Sequence, residues 1–275
     1  MKRKTSSLSN LAAMPHIVWA LIFIVVPLGV VVYYAFTNAD GVFTLTNLTV
    51  LKEYIPTFRL SLLYGLISTI ICLLISYPFA YFLSQHSANK QRMLMLLVML
   101  PMWMNLLIRT YSWMLILERN GILNKLLGLA GLARQTGFLN TGGAVILGMV
   151  YNYPPYMILP IYTIMSKMDQ SLVNAAQDLG GNKPQVLRRV IIPLSMPGVV
   201  SGITMVFVPS VSTFYISQKL GGGSFLLIGD AIENQFMSAN NFNLGASLSL
   251  VLMILILISM AIMNRFTDDD GGIIV

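Results

Sequence analysis

The sequence predicts an all-α fold, a polytopic transmembrane bundle of six helical spans carrying one short cytoplasmic amphipathic helix. Three observations predict it. Of the 275 residues, 56% are hydrophobic and only 10% are charged, where a soluble domain carries about 25% charged residues. The mean hydropathy is +0.75, and the apolar residues arrive in blocks of about twenty, the length a helix needs to cross the hydrocarbon core. Lipid offers backbone N–H and C=O groups no partners, so each block must satisfy them internally as a helix. This composition excludes a soluble enzyme, a disordered tail and a fibrous repeat.

The blocks place spans at residues 14–36, 60–84, 93–117, 143–166, 196–216 and 245–263. The first follows Lys2, Arg3 and Lys4, but its long run from Ile17 to Phe36 lacks a small-x-small cleavage site, so it reads as a retained helix. The chain then divides into a cytoplasmic N-terminal segment (1–13), a six-helix domain (14–263) containing an inside loop at 167–195, and a cytoplasmic tail (264–275). With the N-terminus inside, the inner segments hold ten Lys and Arg residues and the longer outer loops hold six. That bias favours both termini in the cytoplasm. The net charge of +7 is therefore a topology signal, and it implies lipid rather than nucleic acid as the surrounding partner. The single cysteine, Cys72, forms no disulfide framework. The acidic run Asp268-Asp269-Asp270 near the chain end suggests no specific role.

Spans four and five are not plain lipid-facing helices. The fourth contains Tyr151, Asn152, Tyr153, Pro154, Pro155, Tyr156 and Pro160, so its backbone must lose hydrogen bonds that neighbours or water replace. The fifth places Pro209 among Ser210, Ser212, Thr213 and Tyr215. Static interior packing and a translocation path both account for such segments.

In the inside loop, Leu172, Ala175, Ala176 and Leu179 fall at i, i+3, i+4 and i+7, after Asp169 or Ser171 as cap, with Asn174, Gln177 and Asp178 on the other side. Gly180 and Gly181 stop the helix. So short a helix is unstable alone, and its apolar stripe must dock on something.

The segment Asn174-Ala175-Ala176-Gln177-Asp178-Leu179-Gly180, nine residues, then Val190-Ile191-Ile192-Pro193 resembles the Glu-Ala-Ala-x-x-x-Gly-x9-Ile-x-Leu-Pro loop of binding-protein-dependent ABC importer permeases. Asn174 stands for the usual Glu, Val190 for Ile and Ile192 for Leu. The resemblance implies that Leu172, Asn174 to Gly180 and Pro193 couple the bundle to a separate cytoplasmic ATPase. The stretches Leu106 to Trp113, Phe207 to Ser210, Leu220 to Gly223, Leu227 to Gly229 and Gln235-Phe236 are similar to the spermidine/putrescine branch of that family. This branch implies a bacterial cytoplasmic-membrane permease paired with a homologous second permease, two ATPase subunits and an extracytoplasmic polyamine-binding protein. Sister permeases for ferric iron, sulfate or thiamine share the loop and remain open as alternatives, as does an ATP-independent carrier.

The chain has no G-x-x-x-x-G-K-[ST] phosphate loop, so ATP and Mg belong to the partner ATPase, and no cofactor is expected on this chain. His16 and His86 sit near ends of different spans and resemble no metal pair; no metal and no catalytic residue is expected. Arg109 lies inside a span, where a charge costs at least ~2.5 kcal/mol and is functional by default. With Asn105 and Trp113 it forms an i, i+4, i+8 stripe on which Trp113 stacks against the guanidinium. A bare Arg repels a polyamine, so these three are assigned a structural or gating role. Cation recognition needs aromatic faces or carboxylates, which nominates Tyr151, Tyr153, Tyr156 and Tyr215 along the path and Asp230 with Glu233 at its entrance.

Overall fold

The computed structural model describes residues 7–131, 137–223 and 225–268. Lys2, Arg3, Lys4, Arg134 and the tail from Asp269 lie outside the described residues. Helices account for the architecture, and among the described residues the sole β-type pairing is an isolated bridge between Thr37 and Phe43. Four helices are long and apolar enough to cross a membrane, and two bent helix pairs raise the number of spans to six. The described residues form two compact units, one within 7–55 and 231–254 and one within 56–230 and 255–268.

In the first unit, α1 (residues 7–35) runs through a π-helical turn at Leu21–Val25. Its last carbonyls, orphaned as at any helix end, are met by amides: Asn47 Nδ2 donates to Ala35 O (3.2 Å) and Thr37 O (2.9 Å), and Asn243 Nδ2 donates to Tyr34 O (3.1 Å). Ser247 Oγ adds a bond to Ala35 O at 3.0 Å, where Ala35, Ala246 and Leu250 form a small core. The helix that supplies Asn243, α12 (Phe242–Asp268), starts three residues earlier than expected, because Asn241 accepts from Leu244 N and caps it.

The second unit is organised on α2 (Leu51–Ser84), whose buried positions Ser61, Gly65, Ser68, Cys72, Ser76, Ala80 and Leu83 repeat with helical period. All but the last are small, so other helices approach closely, as membrane helices do. Hydroxyls bind these contacts: Ser68 Oγ meets Met149 Sδ at 3.1 Å and Tyr77 OH meets Ser195 Oγ at 2.9 Å.

The third span departs from expectation. Instead of one helix over 93–117, α3 (Ala88–Trp103) is followed by α4 (Leu106–Leu117), and the stretch Leu106–Leu129 lies at 86° to α3. Pro101 tightens the end of α3 into a 3-10 turn, Met104 and Asn105 are extended, and the Asn105 side chain accepts from Leu107 N at 2.7 Å to start α4. An unpredicted amphipathic helix follows, α5 (Ile122–Leu129).

The fourth span breaks where the aromatic-proline run predicts. Helix α6 (Gly142–Asn152) and helix α7 (Pro154–Met165) join at Tyr153 with a 41° bend. Helix α8 (Gln170–Asp178) follows. The fifth span begins at Lys183 rather than 196: α9 (Lys183–Ser212) is one continuous helix. Pro193 therefore lies inside a helix, not in a loop. A π-turn at Leu187–Ile191 precedes it and absorbs the hydrogen bond that proline cannot donate. Helix α9 ends at Ser212, short of the expected 216, and Tyr215 opens the next helix, α10 (Tyr215–Gly221). Helix α11 (Ile228–Met237) completes the set.

Helix α7 packs closely against α9. A methyl group on Gly198 would meet Pro160 O at 2.8 Å and Ile161 Cα at 3.0 Å, and one on Gly202 would meet Met157 Sδ at 2.7 Å.

Candidate coupling surface and translocation path

Helix α8 is closed at both ends by local chemistry. Asp169 caps it, accepting from Ser171 N at 2.9 Å, and this bond together with one from the Ser171 side chain holds the Asp169 carboxyl below the usual carboxylate range. The cap therefore operates at neutral pH and is lost on acidification below that range. At the other end Gly181 N donates to Ala176 O (3.0 Å) and Gly180 N to Gln177 O (2.9 Å), the paired bonds of a Schellman motif. Gly180 takes φ +83°, a conformation that a side chain disfavours.

The expected stripe divides in two. Val173, which periodicity alone did not select, is buried with Val186 and Ile191, and Ala176 is half-buried beside it. Leu172, Ala175 and Leu179 instead face outward, Leu179 at 90% exposure, together with Asn174, Gln177, Asp178 and Gly180. One face of α8 thus anchors the helix on its own chain while another presents unpartnered apolar side chains. Beside them a cleft of about 440 Å³ opens between the end of α8 and the start of α9, lined by Ala176, Leu179, Val186, Val190 and Arg189. Pro193 is exposed one turn beyond Arg189, on α9 rather than on α8.

The aromatic candidates fall into separate pairs. Tyr151 is exposed and stands edge-on to Trp113, centroids 5.3 Å apart. Tyr153 is buried, donates to Pro209 O at 3.3 Å and lies 6.4 Å from the exposed Tyr156. Tyr215 pairs edge-on with Tyr111 at 6.3 Å. Trp113, expected to stack on Arg109 within α4, pairs with Tyr151 instead. Asn105 is the cap of that helix rather than a member of a continuous stripe. Arg109 is half-buried, and its buried Nε has no hydrogen-bond partner among the described residues.

Asp230 is not an open entrance group. It is 3% exposed, with Oδ2 accepting from Leu227 N (2.9 Å) and Oδ1 from Ser217 Oγ (2.9 Å), while Ser61 Oγ accepts from Ile228 N at 2.7 Å. These bonds satisfy the start of α11 and tie it to α10 and α2. Glu233, one turn along α11, is half-buried. Replacing Asp230 with alanine strands a buried N–H and hydroxyl, a loss of about 1–3 kcal/mol. A thermal melt of the purified variant should show that destabilisation, and an unchanged midpoint would show that these bonds do not hold the start of α11.

Residues 5–268 match the family described as the binding-protein-dependent transport system inner membrane component. The chain belongs to this family. It is 36% identical over 261 residues to the spermidine/putrescine transport system permease protein PotB of Salmonella typhimurium strain SL1344, covering 92% of this chain and 91% of that protein. The PotB protein of Haemophilus influenzae is 39% identical over 246 residues, 86% of each chain. The fold matches that of a chain in the crystal structure of a bacterial ABC transporter involved in the import of the acidic polysaccharide alginate. The TM-score is 0.81 at 16% identity over 95% of both chains. The protein is thus a multi-pass inner-membrane permease subunit.

Proposed function

We propose that this permease subunit moves polyamines, spermidine or putrescine, into the cell in an ATP-driven importer. Its partners in this reading are a homologous second permease, two ATPase subunits that hold ATP and Mg, and an extracytoplasmic polyamine-binding protein. The observation that carries the reading is the 36–39% identity to spermidine/putrescine permeases over most of the chain. Both termini and α8 lie in the cytoplasm, in keeping with the distribution of Lys and Arg.

The mechanism follows from the two faces of α8. ATP biases the permease between its states only through contacts that differ between them, and the outward face of Leu172, Ala175 and Leu179 makes those contacts with the ATPase. Val173 and Ala176 transmit the displacement to the start of α9, and the close α7–α9 pairing at Gly198 and Gly202 moves both helices together. The bend at Tyr153 lets the cytoplasmic part of the fourth span tilt relative to α6. Arg109, Asn105 and Trp113 act in structure or gating, and Tyr151, Tyr153, Tyr156 and Tyr215 line the path.

Liposomes holding this chain with its second permease, ATPase and binding protein test the substrate. Radiolabelled spermidine uptake should saturate, require ATP and be competed by putrescine, while ferric iron and sulfate uptake stay at background. Uptake of ferric iron or sulfate in place of spermidine would contradict the polyamine assignment.

A further inference from the structure

None of the six spans contains Asp or Glu, yet Arg109 lies within the third. A charge so placed needs a counter-charge, and the break in the fourth span supplies one. Proline has no N–H, so Pro154 and Pro155 cannot donate to Val150 O and Tyr151 O. Tyr156 N donates to Tyr153 O at 3.1 Å and not to Asn152 O. Three consecutive carbonyls therefore end α6 without helical donors, at the end where a helix carries about half a negative charge. Asn152 adds a fourth oxygen: it is 3% exposed, its Nδ2 donates to Gly148 O at 2.7 Å, and its Oδ1 has no partner among the described residues. Among those residues one other buried side-chain atom is so placed, and it is the complementary donor, Arg109 Nε. Trp113, one turn along α4 from Arg109, stands edge-on to Tyr151. The guanidinium charge also reaches the phenol of Tyr153. Both chain neighbours of Asn152 thus lie towards the face of α4 that carries Arg109.

We propose that Arg109 is a positioning residue for the hinge of the fourth span, its guanidinium acting as counter-charge to the freed oxygens that end α6. The inference deepens the structural or gating role proposed for Arg109 and rests on that reading, not on the identity of the solute. The two prolines expose the oxygens, and the arginine offsets the negative helix end they create. The bend is thereby fixed at Tyr153, so that α7 tilts there and not elsewhere along the span. In return, the oxygens stabilise a guanidinium that hydrocarbon alone would expel.

A double-mutant cycle read by thermal melts of the purified permease pair in lipid nanodiscs tests this directly. Arg109→Met keeps much of the stem and removes the charge, and it should lower the melting midpoint by about 2–4 °C. Arg109→Lys, which keeps a positive charge, should restore most of that loss. Pro154→Ala combined with Pro155→Ala returns two N–H donors to the end of α6, and in that background Arg109→Met should leave the midpoint unchanged. An equal loss in both backgrounds overturns the proposal. So does a loss in Arg109→Lys as large as that in Arg109→Met, a comparison that decides the matter even where the alanine variant fails to fold. Uptake by the wild-type assembly with its ATPase and binding protein separates the two readings: a positive cycle in a transporter that imports no polyamine upholds the role of Arg109 and overturns the transport assignment.

Discussion

Replacing Gly198 with leucine is expected to lower the melting midpoint of the purified permease by roughly 5 °C or more and to reduce the protein recovered from membranes. A Cβ at this position would stand 2.8 Å from Pro160 O and 3.0 Å from Ile161 Cα. Both are backbone atoms of α7, so no side-chain rotation relieves the overlap. The two helices would have to part along the contact that includes Gly202 and Met157. Overpacking of this kind costs ~1–3 kcal/mol, and more where the obstructing atoms are backbone. Gly29 is the control, since nothing lies within 4 Å of a Cβ built there. Gly29→Leu should melt like the wild type, and a Gly198→Leu variant that also does so would show that α7 and α9 are not locked together.

The second large effect concerns the outward face of α8. Replacing Leu172 and Leu179 together with glutamate should leave the melting midpoint unchanged, because both side chains are exposed, at 48% and 90%. The same variant should bind its ATPase about 100-fold more weakly, the loss of two interface anchors of more than 1 kcal/mol each. Val173→Ala should do the reverse, since Val173 is buried against the permease itself. Pull-down of the ATPase beside a thermal melt distinguishes the two faces. An ATPase that is retained by the double variant would mean that it docks elsewhere.

Local chemistry made much of this legible in advance. Asp169 and Gly180 bound α8 because a carboxylate cap and a residue tolerating φ +83° announce themselves one residue at a time. The break at Tyr153 followed from two consecutive prolines. Hydropathy, by contrast, carries no direction. It could not show the sharp break between α3 and α4, although Pro101 and the capping Asn105 were its signals. Lys183, Arg188 and Arg189 interrupted the apolar block and hid the first turns of α9, which a capping box at Asn182 and Gln185 starts. Helical periodicity placed Leu172 and Ala176 on one stripe. Which neighbour turned inward depended on Val186 and Ile191, residues of another helix. Asp230 looked free because its partners, Ser217 and Leu227, come together only through the turn between α10 and α11.

The most direct test of the central claim, that this chain passes the energy of ATP through α8 into polyamine import, is spermidine uptake into liposomes measured alongside ATP hydrolysis. Wild-type assemblies should accumulate spermidine only with ATP, and Ala175→Asp on the outward face of α8 should abolish uptake while the permease keeps its melting midpoint. Spermidine accumulation that persists without ATP, or that is indifferent to Ala175→Asp, would contradict it.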